Sequence, residues 1–83
     1  MISTQQMLEN ATDTYNGETG CACGCGGTYA STDSLAGQKR IKKIMNADPA
    51  QLASFDFGGG EGCIEIENKT GTRVTRVYYK VAI

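Results

Sequence analysis

The chain has no histidine and no tryptophan, a single proline, and no lysine or arginine before residue 39. Without histidine it lacks the side chain best suited to moving protons near neutral pH, and also the commonest nitrogen ligand for metals. A cysteine nucleophile would need a base beside it, yet the carboxylates and lysines are scattered along the chain. The Cys-x-x-Cys spacing of thioredoxin-like redox motifs is missing. No Gly-Lys-Ser/Thr follows Gly58-Gly59-Gly60, so that run is not a phosphate loop. An enzyme is therefore not expected. No stretch approaches the ~18 apolar residues of a membrane span. Met1-Ile2-Ser3-Thr4-Gln5-Gln6-Met7 has neither a basic n-region nor an apolar run, so a cytoplasmic location with reduced thiols is the expectation.

What is present is small. The 83 residues suit one domain, 1–83, near the size at which a single core supplies only about 3–5 kcal/mol and a staple becomes useful. Six aromatics and eleven glycines imply a thin core and short elements. The net charge of −1 hides an asymmetry. Glu9, Asp13, Glu18 and Asp33 are the only charged side chains up to residue 38. From residue 39 onward, eight cations face five carboxylates, a net of +3. The sequence pI near 5.2 argues against a dedicated nucleic-acid binder.

Ser3-Thr4-Gln5-Gln6 fits a capping box, and Met7, Leu8 and Ala11 supply a short stripe, predicting a helix over 4–11. Asn16-Gly17 reads as a turn, opening a loop to Gly27. Thr28-Tyr29-Ala30 suits a short strand. Ile41, Ile44 and Met45 at helical spacing predict a basic helix, capped by Thr32 or Asp33 and stopped at Asn46. Gly37 weakens its first turns unless something packs closely there. Asp48-Pro49 starts a further turn through Leu52, and Phe55-Asp56-Phe57 alternates as a strand. The C-terminal part is a hairpin from Cys63 to Ile83 across Thr70-Gly71. Its register sets Ile64 opposite Val77, Ile66 opposite Thr75, Glu65 opposite Arg76 and Cys63 opposite Tyr78. The fold expected is α+β: a short N-terminal helix, a cysteine-rich loop, and a central basic helix on a small antiparallel sheet ending in that hairpin.

The cysteines carry the only chemistry. Cys21, Cys23 and Cys25 lie within five residues, and Cys63 is the fourth. Four thiolates make a complete zinc site, and the interleaved glycines allow a loop to wrap an ion. Cys-x-Cys-x-Cys is tighter than a usual zinc knuckle. Other outcomes are a Cys21–Cys25 disulfide, free thiols, copper(I) or an iron–sulfur cluster. Taken alone, Cys63 suits a small core residue. Zinc on Cys21, Cys23, Cys25 and Cys63 is the expectation.

Residues 20–29, Gly-Cys-Ala-Cys-Gly-Cys-Gly-Gly-Thr-Tyr, resemble a GCxCGCxGxY motif of small phage-encoded proteins. The resemblance implies a phage accessory protein acting inside the host cell, with a basic helix and a C-terminal strand pair after the motif. It supplies no activity.

Two binding roles follow. Lys39, Arg40, Lys42 and Lys43 on the helix, joined by Arg73, Arg76, Lys80 and Tyr78 on the hairpin, could hold phosphates and stack bases. Alternatively Val74, Tyr78 and the arginines form a protein-binding face, the residue types enriched at interfaces. The second role is expected: a metal-stapled module that binds and modulates or inhibits a host protein, by analogy with blockers of host defence such as anti-CRISPRs. A thiol redox or metal-handling role is the remaining alternative. A monomer is expected, or a homodimer paired through an exposed edge of the C-terminal strand.

Overall fold

A computed structural model describes residues 2–19 and 26–82. Two helices and a short 3-10 turn lie among five strands, in the order α1 (Thr4–Glu9), β1 (Ala11–Glu18), β2 (Gly27–Ala30), α2 (Leu35–Met45), the turn (Pro49–Gln51), β3 (Leu52–Gly58), β4 (Glu61–Glu67) and β5 (Arg73–Lys80). The strands form one antiparallel sheet in the order β2-β1-β5-β4-β3. The fold is α+β, as expected, with a larger sheet than a hairpin or three strands.

Local chemistry explains the helices. Ser3 Oγ accepts from Gln6 N at 3.1 Å while Gln6 Oε1 accepts from Ser3 N at 3.0 Å, completing the capping box. Helix α2 begins later than anticipated, because Ser34, rather than Thr32 or Asp33, caps it through Gly37 N. Gly37 is buried against the 31–32 backbone, where a Cβ would sit 2.8 Å from the Ser31 carbonyl carbon. Asn46 ends the helix, and Asp48 caps a 3-10 turn from Pro49 that gives way to β3 at Leu52.

The C-terminal register is the one the alternation predicts: Ile64 opposite Val77, Ile66 opposite Thr75, Glu65 opposite Arg76 and Cys63 opposite Tyr78. The connection is longer than two residues. Asn68 organises it, its Oδ1 accepting from Thr72 N and Arg73 N. Strand β5 is then central, not an edge, since β1 pairs along its other side. A dimer through the C-terminal strand edge is therefore corrected: the edges are β2 and β3.

The largest departure is β1. Asn16-Gly17 is not a turn but lies within an eight-residue strand. Gly17 faces Gly27 across the β1–β2 ladder, and the Tyr15 ring lies over both. A Cβ on Gly17 would stand 2.6 Å from Gly27 Cα and 2.7 Å from Tyr15 Cζ. The glycine serves close approach rather than chain reversal.

Both helices cover one sheet face. Met7, Ile44, Ile64, Val77 and Tyr79 form the buried cluster, joined by Ile2, Leu8, Ile41, Leu52, Ile66 and Val81. Toward β1 and β2 this same face turns polar. Thr14 and Thr75 are buried there, Thr14 Oγ1 donating to Ala30 O at 2.6 Å and Thr75 Oγ1 to Asn16 Oδ1 at 3.3 Å.

Candidate protein-binding face

Among the described residues, no helix lies on the other sheet face. Alternation along the strands sends Tyr15, Tyr29, Phe55, Cys63, Glu65, Val74, Arg76 and Tyr78 to this side. Tyr15 stacks on Tyr29 with ring centroids 4.9 Å apart, and Tyr29 lies 6.2 Å from Tyr78. The Arg76 guanidinium carbon sits 5.3 Å from the Tyr15 ring centre, a cation–π contact. Arg76 Nε also donates to Glu65 Oε1 at 3.0 Å, and Nη1 to Tyr78 Oη at 3.4 Å. Beyond Tyr78, a shallow groove of about 280 Å³ is lined by Phe55, Phe57, Cys63, Glu65, Arg76 and Tyr78.

Exposure varies sharply across this face. Tyr15 and Val74 are each only 1% exposed, whereas Tyr29 is 56%, Phe55 47% and Phe57 61% exposed. Three large rings thus stand in water along the rims, around a fixed polar centre.

That centre is electrostatically settled. Burial pulls the Arg76 pKa down, but hydrogen bonds to Tyr78 and Glu65 outweigh it and the net shift is upward, so Arg76 stays charged. Burial pushes the Tyr78 phenol up, against the hydrogen bond from Arg76, which lowers it. Burial likewise raises the Cys63 thiol, with Glu65 adding to the rise and Arg76 opposing it. A thiol held protonated is a poor nucleophile.

The anticipated site residues separate into groups. Lys39, Lys42 and Lys43 are exposed on α2, on the opposite side of the sheet from Tyr78 and Arg76. Arg40 is tied to the sheet by hydrogen bonds to Thr14 and Thr28. Arg73 and Lys80 lie exposed at the two ends of β5, Lys80 with Glu61 at 3.8 Å. Val74 points to the anticipated side but is buried, which corrects its role as an exposed contact. The basic helix and the hairpin therefore do not make one continuous surface.

Cys21, Cys23 and Cys25 lie outside the described residues. Among those described, no group of three or more His, Cys, Asp or Glu side chains is placed to hold a metal. Cys63 is described: it lies in β4, buried between its cross-strand neighbours Phe55 and Tyr78.

Tyr15, Tyr29, Phe55 and Phe57 were not among the anticipated contacts. The Phe-Asp-Phe alternation and the tyrosine closing the glycine–cysteine motif were the available signals. No protein-family model, curated protein or solved structure matches the chain.

Proposed function

We propose that the chain is a non-catalytic protein-binding module whose contact surface is the helix-free face of the sheet. The observation carrying this is the pairing of exposed Tyr29, Phe55 and Phe57 with a rigid Arg76–Glu65–Tyr78 centre. Aromatic rims around an ordered arginine are the composition of protein interfaces, where a few such residues dominate affinity. Phe55 and Phe57 also lie on an edge strand, whose unpaired backbone groups can receive an extended segment of a partner.

Nucleic acid is less well supported. Base stacking on a sheet needs cations beside the rings to take the phosphates. Here Arg76 is already paired with Glu65, and the α2 lysines lie on the other layer. The resemblance of residues 20–29 to phage proteins makes a host protein the expected class of partner. Zinc held by Cys21, Cys23, Cys25 and Cys63 remains part of the proposal as a staple, and the binding surface does not depend on it.

The test is comparative capture. Wild type, Phe57→Ser with Tyr29→Ser, and Lys39→Gln with Lys42→Gln and Lys43→Gln are presented to host extract. Any partner found is then purified and its affinity measured with each variant at two salt concentrations. Loss with the aromatic pair, retention with the lysine triple and weak salt dependence are expected. The reverse pattern, or steeply salt-dependent binding of a single-stranded oligonucleotide, overturns the proposal.

A further inference from the structure

On the helix side, α2 does not cover the whole sheet. Ala36, Lys39, Arg40 and Lys43 recur at i, i+3, i+4 and i+7, forming one stripe of the helix. With Asn16 and Thr75 from β1 and β5 they line a groove of about 260 Å³. Three of its six lining residues are cations and none is a carboxylate. Nor is there one on α2, or among Thr14, Asn16, Thr75 and Val77, the sheet positions beneath it. The described ion pairs, Arg76–Glu65 and Lys80–Glu61, lie elsewhere.

Arg40 is the informative residue. It is half-buried, and among the described residues its guanidinium is fixed by neutral oxygens only. Nη1 donates to Thr28 O at 3.2 Å and to Thr14 Oγ1 at 3.4 Å, and Nη2 to Thr28 Oγ1 at 3.1 Å. A guanidinium has five N–H donors, so Nε–H and one Nη2 proton remain for another acceptor. A fixed, partly desolvated cation with spare donors and no counter-charge among the described residues is preorganised for an oxyanion, which such a fork binds side-on. Lys39 and Lys43 flank it one turn apart. Asn16, whose Oδ1 accepts from Thr75 Oγ1, lines the same groove and has an amide NH2 to donate.

We infer that this groove is a binding site for a phosphoryl group, with Arg40 as the fixed anchor, Lys39 and Lys43 as the adjustable charges and Asn16 as a neutral donor. Two or three positive charges around one small groove suit a dianion better than a carboxylate monoanion. The site lies on the opposite layer from the proposed protein-binding face and does not rest on it.

The probe is inorganic phosphate, added to isotopically labelled full-length protein at constant ionic strength while amide and Arg40 Nε–H resonances are followed. Chloride and acetate serve as controls, and a short oligonucleotide as a diester source. Saturable shifts at Asn16, Lys39, Arg40 and Lys43 with phosphate, and not with chloride or acetate, are expected. Lys39→Gln with Lys43→Gln leaves the fold unchanged and weakens binding roughly tenfold or more. Arg40→Lys keeps the charge but loses the fork, and weakens phosphate binding while the lysine resonances still report a folded helix. The same shifts with chloride, no saturation, or full affinity in the double lysine variant overturn the site. Binding of the oligonucleotide without binding of phosphate also overturns it, in favour of a diffuse polyanion surface.

Discussion

The two faces of the sheet are built on different principles. The covered face, from β4 across β5, is aliphatic packing. Ile44 from α2 and Met7 from α1 close over Ile64, Val77 and Tyr79, and nothing in that cluster depends on charge. The open face is held by directional contacts: ring on ring, guanidinium on ring, and one ion pair, with a glycine pair making room for Tyr15. Stability should therefore concentrate on the first face and specificity on the second. A side chain added or removed has a different consequence on each.

The sharpest way to break the comparison is on the covered face. Ile44→Ala removes the main α2 anchor and should cost about 2–5 kcal/mol, read as a lower urea midpoint. A loss below about 1 kcal/mol would mean that α2 is not anchored by this contact. On the open face the largest effect should come from backbone proximity. Gly17→Val drives a side chain into the Tyr15 ring and the Gly27 backbone and should cost about 1–3 kcal/mol, with a change in tyrosine near-UV dichroism. Unchanged dichroism would contradict Tyr15 lying over the glycine pair.

Charge should matter less. Glu65→Gln, which weakens the partly buried bond to Arg76, should cost about 1 kcal/mol after allowing for solvent screening at the arginine. Glu61→Gln, at the exposed Lys80 pair, should change stability by no more than about 0.5 kcal/mol. Equal effects would erase the distinction between an ordered centre and a solvated rim.

The smallest effect at neutral pH belongs to Cys63, whose contribution changes only in alkali. Its folded pKa is raised above the ordinary value of 9.0, chiefly by burial. The unfolded thiol therefore loses its proton first as pH rises. The associated stability is fully present below pH 9.0 and falls as pH climbs toward the folded pKa. Denaturation midpoints followed from neutral pH upward should decline in that window, and Cys63 should react with a thiol reagent far faster in urea than in buffer. Rapid native reaction would refute its burial.

Much of the covered face was legible because its signals are periodic. Ile64, Ile66, Val77 and Tyr79 alternate, and Ile41 and Ile44 repeat with the helix, so one register satisfies both. Strand β1 was hidden because its covered side carries Thr14 and Asn16 rather than aliphatics, and because Asn-Gly is the strongest local turn signal. Only the distant partners, Gly27 and Val74, reveal why glycine stands at 17. The open face was read in part. Tyr78 and Arg76 followed from the hairpin, but Phe55 and Phe57 become rim residues only once β3 is known to be the edge.

The central place of β5 also governs the order in which the molecule can be assembled. Strands β1–β2 and β3–β4 are local hairpins and close quickly, whereas Thr14 meets Val77 only by joining opposite ends of the chain. Strand β5 also closes locally on β4, so until it reaches β1 the β1–β2 hairpin and the β3–β4–β5 meander share no ladder. That long closure carries the largest loop-entropy cost of the four ladders, and non-local pairing of this kind slows folding. Contacts of β5 with β1 act as its gate, and a chain severed before Arg73 would be left as two hairpins with no strand to join them.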